Sequence, residues 1–146
     1  MMVGSSILAT SCSEKSTNSL WNDQNPFFKE SQLPYHTADF SKIKNDDFKP
    51  ALLQGMAEQL VEINKIANNS AAPTFVNTLV EMEKSGQLLA RVNQVFGLLT
   101  GANTNETLQK VEEEMSPKFA AHSDAIYLNQ KLFDRVKTLY ANKDRS

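Results

Sequence analysis

The stretch TFVNTLVEMEKSGQLLARVNQVFGLL, residues 74–99, decides the fold class. Its apolar residues recur at steps of three and four, which is the period of one face of an α-helix. The stripe consists of Phe75, Leu79, Met82, Leu89, Val92, Phe96 and Leu99. Thr74 can cap the start and Gly101 the end. Gly86 falls on the stripe between Met82 and Leu89, so we predict one long helix near 74–100, in which Gly86 allows a mild bend or the close approach of a neighbour.

Similar stripes occur on both sides of this stretch. A first helix begins at Asp46 or Asp47, a third spans about 105–126, and Asn129 caps a last one. Pro117 should kink or restart the third helix, because it cannot donate a backbone hydrogen bond. The stripe residues are Phe48, Leu52, Met56, Leu60, Ile63 and Ala67; Leu108, Val111, Met115, Phe119, His122 and Ile126; and Leu132, Val136, Leu139 and Tyr140. The sequence therefore predicts an all-α fold, an antiparallel bundle of about four helices.

Residues 20–45 show neither a helical nor a strand period. Pro26 and Pro34 favour extended backbone at the residues before them. The segment carries five aromatic residues before Ser41, namely Trp21, Phe27, Phe28, Tyr35 and Phe40. Aromatic side chains contribute most when buried, so we predict an extended segment that wraps the helical body and inserts these rings into its grooves. His36, in the same segment, is assigned no role.

Residues 1–19 read as a processed or anchoring segment. A short apolar stretch extends up to Cys12, and the residues after it are polar. The small residues Ala9, Thr10 and Ser11 directly precede the cysteine. This pattern resembles a bacterial lipobox, whose cysteine is lipidated, with the polar residues as a linker. No Lys or Arg precedes Cys12, so the alternative is an ordinary N-terminal tail. We expect a lipid anchor at Cys12 and a location in the cell envelope; the alternative location is the cytoplasm.

Composition excludes several other classes. The 146 residues suit one domain and carry a formal net charge of −2, with basic and acidic residues interleaved. No basic stretch suggests a nucleic-acid partner. A single cysteine excludes an internal disulfide and a multi-cysteine zinc site.

His122 is the residue most open to a chemical interpretation. Zinc hydrolysis on a helix requires two histidines one turn apart with a glutamate beside the first. No second histidine lies four positions from His122, and Glu112–Glu114 is most simply a solvated face. We therefore predict no catalytic residue and no metal ligand in this chain, and assign His122, Gly86 and Pro117 to structural roles.

Specific strings of the sequence carry a resemblance. They are NPFF at 25–28, LPY at 33–35, FKPALLQGMAEQLVEINKIANN at 48–69, APTFVNTLVEMEKSGQLLARVNQVF at 72–96, GANTN at 101–105 and EMSPKFAAHSDAIYLNQKLFDRVKTLY at 114–140. In order, they resemble the N-terminal region of bacterial peptidyl-dipeptidases (dipeptidyl carboxypeptidases), zinc metallopeptidases of the thimet oligopeptidase and oligopeptidase A family. The resemblance implies an all-helical protein with a deep substrate channel. It also implies a zinc ion on an H-E-x-x-H helix and the release of C-terminal dipeptides from short peptides.

None of the metal ligands or the general base of that family maps onto this chain. We expect residues 46–146 to be the helical N-terminal region of such a metallopeptidase, truncated before the catalytic part. Zinc, the missing catalytic part and peptide substrates would then belong to the full-length form. Two functions remain open: a portion of the channel wall that is inactive alone, or a stand-alone lipid-anchored helical module that binds a partner.

Overall fold

Five α-helices and two short helical turns make up the regular structure of residues 21–142, the part of the chain that the computed structural model describes. The helices are α1 (Asn45–Ala67), α2 (Glu81–Lys84), α3 (Gln87–Ala102), α4 (Glu106–Tyr127) and α5 (Gln130–Ala141). A 3-10 turn, Pro34–His36, precedes α1, and a π-helical turn, Val76–Val80, runs directly into α2. No strand occurs within these residues. The predicted all-α class is confirmed, whereas Cys12 and residues 1–19 lie outside the described part.

Helix α1 is the element on which the others pack, and it runs antiparallel to α3. The Phe48 ring lies 5.2 Å from that of Phe96, between centroids, at one end of the pair. Further along, a Cβ built on Gly55 would meet the Leu89 backbone at 2.8 Å. Since only a hydrogen occupies that space, α1 and α3 approach at backbone distance. Close approach of a neighbour, one of the two alternatives predicted for Gly86, therefore also occurs at Gly55.

Helix α4 runs parallel to α1. Helix α3, which lies between them in the sequence, runs in the opposite direction. Asn45 Nδ2 donates to Asn105 Oδ1 at 3.1 Å near the start of both helices, and Lys49 forms an ion pair with Glu114. The apolar faces of α1 and α4, together with that of α3, enclose the main core. Its buried members are Phe27, Phe48, Ala51, Leu52, Met56, Val92, Val95, Phe96, Leu108, Val111 and Met115. Most of the helical members lie on the predicted stripes, and Ala51 and Val95 are the exceptions.

The prediction of one continuous helix near 74–100 is wrong. Helix α2 ends at Lys84, Ser85 is extended (φ −75°, ψ 152°), and Gly86 adopts a left-handed conformation (φ 72°, ψ 26°) before α3 begins. These two residues of non-helical backbone separate α2 from α3. The apolar spacing in the sequence continues across them, because Leu89 follows Met82 by about two helical turns. Phe75, placed on the stripe, is 65% exposed.

Pro117 does not restart a helix. Helix α4 continues through it from Glu106 to Tyr127, and Pro117 itself is exposed. Asn105 caps the helix, since its side chain accepts a hydrogen bond from the Leu108 amide at 3.0 Å. The stripe through Met115 and His122 stays on one buried face, as the period required.

The segment 21–44 wraps the helical body only in part. Phe27 is buried, and its ring centroid lies 5.4 Å from that of Phe48. Buried Asn25 donates through Nδ2 to the Asp47 carbonyl at 3.0 Å, which ties the segment to α1. Tyr35, however, is 97% exposed, and Phe28 and Phe40 are also exposed. The prediction that all these rings insert into grooves is therefore wrong for three of them.

None of the helices among the described residues has the length and apolar character to cross a membrane.

Candidate functional site

The junction between α2 and α3 is held by side chains from two other helices. The Gly86 amide donates to Glu62 Oε2 at 2.7 Å, and Gln59 Nε2 lies 3.5 Å from Ser85 Oγ, to which it donates. Gln59 and Glu62 are three positions apart in the sequence, so their side chains lie on the same face of α1. Ser85 Oγ in turn donates to the Met82 carbonyl at 2.7 Å, closing the last turn of α2. The break in the predicted long helix, at Ser85–Gly86, is thus held by specific hydrogen bonds, and we call it the α2–α3 joint.

His122 reaches this joint from α4. Its side chain is buried, and Nε2 lies 2.7 Å from Gln59 Oε1, an arrangement in which Nε2 carries the proton and donates. Nδ1 is buried without a hydrogen-bond partner. Burial lowers the pKa of His122 below its ordinary value, because the charged ring would lose its hydration. The imidazole is therefore held neutral and serves to orient Gln59.

Residues 76–84, the π-helical turn and α2, form one arm (the α2 arm), and Arg135, which was not predicted from the sequence, fixes the end of it that lies away from the joint. Its Nη1 donates to the carbonyls of Asn69 and Ala71 at 2.7 and 3.1 Å. Its Nη2 donates to Asn77 Oδ1 at 2.8 Å and Thr78 Oγ1 at 3.2 Å. Arg135 is buried, so these four acceptors replace the hydration of its two Nη groups, while its Nε is buried without a partner. The available signal was an arginine three places after Leu132, on the flank of an apolar stripe.

A cleft of about 920 Å³ lies between the segment 23–44 and α3. Arg91 anchors its floor, donating through Nη2 to the Phe27 carbonyl at 2.9 Å. Leu33, Tyr35 and Leu98 line it and are exposed. Tyr35 and the neighbouring His36 have φ of 59° and 55°. Such left-handed backbone is unfavourable for residues with a Cβ, so the rim of the cleft carries local strain.

Charged groups at the cleft largely satisfy each other. The Ser41 hydroxyl, followed by Lys42, holds the pKa of Asp39 below its usual value, and Lys42 Nζ lies 2.9 Å from Asp39 Oδ2. His36 Nδ1 lies 3.0 Å from the Ser31 carbonyl and 3.8 Å from Glu30 Oε1. No nucleophile–base pair is formed by these contacts.

The described residues do not fit a zinc site. Across 21–142, no three His, Cys, Asp or Glu side chains converge in a way that could hold a metal ion. His36 and His122 are each engaged with other partners, and Glu114 of the acidic run pairs with Lys49.

The candidate residues named from the sequence fall in different places. The structure brings His122 and Gly86 together through Gln59 and Glu62. Pro117 lies on the exposed side of α4, away from that joint, and Cys12 is outside the described residues. Their functional assignments remain predictions.

Comparison with known proteins points to one class, the dipeptidyl carboxypeptidases. The chain is 44% identical over 119 residues to a dipeptidyl carboxypeptidase of Salmonella typhimurium, a match that covers 82% of this chain and 18% of that protein. It is 41% identical over 120 residues to a dipeptidyl carboxypeptidase of Escherichia coli, with the same two shares. No family model matches the chain. The predicted resemblance is confirmed: the chain is similar to part of these proteins and spans about 18% of their length.

Proposed function

We propose that this chain is the N-terminal helical portion of a zinc metallopeptidase of the dipeptidyl carboxypeptidase type, forming part of the wall of its substrate channel. The observation that carries the proposal is the 44% identity over 82% of the chain. Identity at that level over such a length supports a common fold and a corresponding position in a longer protein. Hydrolysis, peptide substrates and zinc would belong to that longer protein.

Exposed apolar side chains support the same proposal. Tyr127 and Leu128 at the joint of α4 and α5 are 81% and 79% exposed, and Phe133 and Tyr140 on α5 exceed half. Clustered exposure of this kind usually marks a surface that another element covers. The rest of a larger enzyme is the partner that this proposal names.

The portion alone should be inactive. In a zinc peptidase the metal polarises the scissile carbonyl and lowers the pKa of the attacking water. The described residues offer no set of ligands for that metal. The helices of this chain would therefore shape and wall the channel, while the remaining sequence would supply the reacting groups.

Complementation tests the proposal. Residues 1–146 are mixed with the E. coli relative lacking its matching segment, and dipeptide release from an N-blocked tripeptide is measured with and without a zinc chelator. We expect no release from either piece alone and chelator-sensitive release from the mixture. Phe48→Asp, which places a charge in the main core, is the control that should not complement.

The alternative, a stand-alone lipid-anchored binding module, predicts a different outcome. The mixture would stay inactive, while the purified chain would be a cooperative, monomeric fold. Chelator-sensitive cleavage by residues 1–146 alone would contradict both readings. Adjacent genomic sequence gives a second test, because the proposal expects an H-E-x-x-H motif encoded downstream.

We also propose that the protein resides in the cell envelope through a lipid at Cys12. Metabolic labelling with a fatty acid should modify the wild-type chain and spare Cys12→Ser. An unmodified chain recovered from the cytoplasm with Met1 intact would contradict the proposal.

A further inference from the structure

The α2–α3 joint depends on hydrogen bonds that converge from two helices. Ser85 and Gly86 leave helical geometry, although the Ser85 amide donates to the Met82 carbonyl and the Gly86 carbonyl accepts from the Ala90 amide. From α1, Gln59 donates to the Ser85 side-chain hydroxyl and Glu62 accepts from the Gly86 amide. His122 donates to Gln59 Oε1 and so fixes which way the amide of Gln59 points. Two hydrogen bonds that share Gln59 therefore connect the Ser85 hydroxyl to an ionisable ring.

A second proton on His122 has no acceptor in the folded structure. The neutral ring uses Nε2–H for Gln59, and the added proton would go to Nδ1, which is buried and has no partner. A buried N–H on a charged ring costs far more than a neutral one unless it is paired. His122 is only 8% exposed, so the charged ring must move to reach water.

The charged groups around His122 do not offer an alternative partner without cost. Glu62 of α1 already accepts from the Gly86 amide, so an interaction of its carboxylate with a charged His122 ring would compete with that bond. The others are engaged elsewhere or exposed: Glu58 accepts from Gln54, Glu81 pairs with Lys84, Arg91 donates to Phe27, Arg135 has its four acceptors, and Glu83, Lys118 and Asp124 are exposed.

We propose that His122 is an acid-sensitive latch on the α2–α3 joint. Protonation at Nδ1 drives the ring out of its pocket, Gln59 loses the donor that orients it, and the Ser85–Gly86 backbone opens locally while α1 and the core of α3 stay folded. The α2 arm, still anchored at Arg135, then becomes free to change its angle to α3. The latch does not depend on the peptidase proposal, since it rests on contacts within this chain.

Hydrogen exchange of the full chain tests the latch. Amide protection at Ser85, Gly86 and Ala90 is measured between pH 7.5 and 5.0, corrected for intrinsic exchange, with α1 core amides as the reference. Opening at the joint should increase as the pH falls, by at most about tenfold for each pH unit, the limit for one proton. The reference amides should keep their protection.

The two histidines provide a matched control. His122→Gln, which keeps a polar side chain that cannot ionise, should make exchange at the joint independent of pH, whereas His36→Gln should leave the wild-type dependence intact. If His122→Gln fails to fold, the wild-type chain decides the question by NMR, because the midpoint of joint opening must coincide with the titration of the His122 ring. Protection that stays constant with pH, or a midpoint that follows His36, would overturn the latch.

Discussion

Gly86 occupies a backbone conformation that side chains with a Cβ rarely adopt. Its φ is 72°, and a Cβ built there would lie 2.4 Å from Gln59 Nε2. Both the strain and the clash fall on the joint between α2 and α3. Gly97, in the middle of α3, is the opposite case, because nothing lies within 4 Å of an added Cβ.

The two glycines should therefore respond in opposite directions to the same substitution. Gly86→Ala should lower the free energy of unfolding by about 2 kcal/mol, through left-handed strain and displacement of Gln59. Gly97→Ala should raise it by about 0.5–1 kcal/mol, because alanine loses less backbone entropy in a helix. Urea denaturation of both variants measures the difference. A neutral Gly86→Ala would show that the helix break relaxes freely.

His122 should make the stability of the whole chain depend on pH. Its pKa in the folded chain is lowered from the ordinary value of 6.5 by burial. Between those two values the unfolded chain binds the proton and the folded chain does not, so the free energy of unfolding falls as the pH falls. The contribution is complete above pH 6.5 and is lost on acidification toward the folded pKa.

Denaturant unfolding at a series of pH values, with His122→Gln beside the wild type, measures this dependence. In the wild type we expect the free energy of unfolding to decrease as the pH falls just below 6.5, and we expect the His122→Gln variant to lack this dependence. Identical slopes in the two proteins would assign the pH dependence to carboxylates instead.

At the scale of the element, apolar period predicted the helices well and their interruptions poorly. The stripes from Phe48 to Ala67 and from Leu108 to Ile126 match α1 and α4 because burial follows the helical period. The break at Ser85–Gly86 kept the next stripe in phase, so period could not reveal it. Only the Ser-Gly pair carried that signal, and the close approach of Gly55 to Leu89 carried none, because it depends on a distant segment.

Arg135 holds the π-helical turn and the preceding loop against α5, so its loss should destabilise that corner. Arg135→Met removes four hydrogen bonds and leaves the fully buried Thr78 hydroxyl without that donor. We expect a loss of about 2–4 kcal/mol in the free energy of unfolding. Lys131→Met is the control: it loses one exposed bond to Asn68 and should cost about 0.5 kcal/mol or less. Equal effects of the two variants would argue against the buried guanidinium as the anchor.

At the scale of the whole molecule, the layout of the chain could be predicted from the sequence. The predicted burial of the aromatic side chains in the segment 21–44 was too extensive. The segment 21–44 buries Phe27 yet leaves Tyr35 in solvent. Aromatic composition favours burial on average, but it cannot specify which ring finds a groove. Similarly, Val95 off the main stripe of α3 is buried, whereas Leu98 is 57% exposed. The share of each side chain that is covered depends on tertiary contacts that period alone does not encode.

The exposed apolar surface should make the isolated chain self-associate. Tyr127, Leu128, Phe133 and Tyr140 are exposed at the end of α4 and along α5, whose main contacts are with α1 and the π-helical turn. Apolar side chains exposed together favour association in water, because each contact removes about 25 cal/mol of unfavourable hydration per Å². We expect helical circular dichroism together with dye binding and a concentration-dependent sedimentation coefficient.

The double variant Leu128→Lys with Phe133→Lys should suppress both dye binding and self-association without loss of helix. Val61→Lys, at an exposed position on α1 that is distant in the sequence from this surface, should not. In the proposed enzyme the same residues would face the rest of the protein, so adding the truncated relative should compete with self-association. A wild-type chain that stays monomeric and binds no dye at high concentration would instead favour the independent binding module.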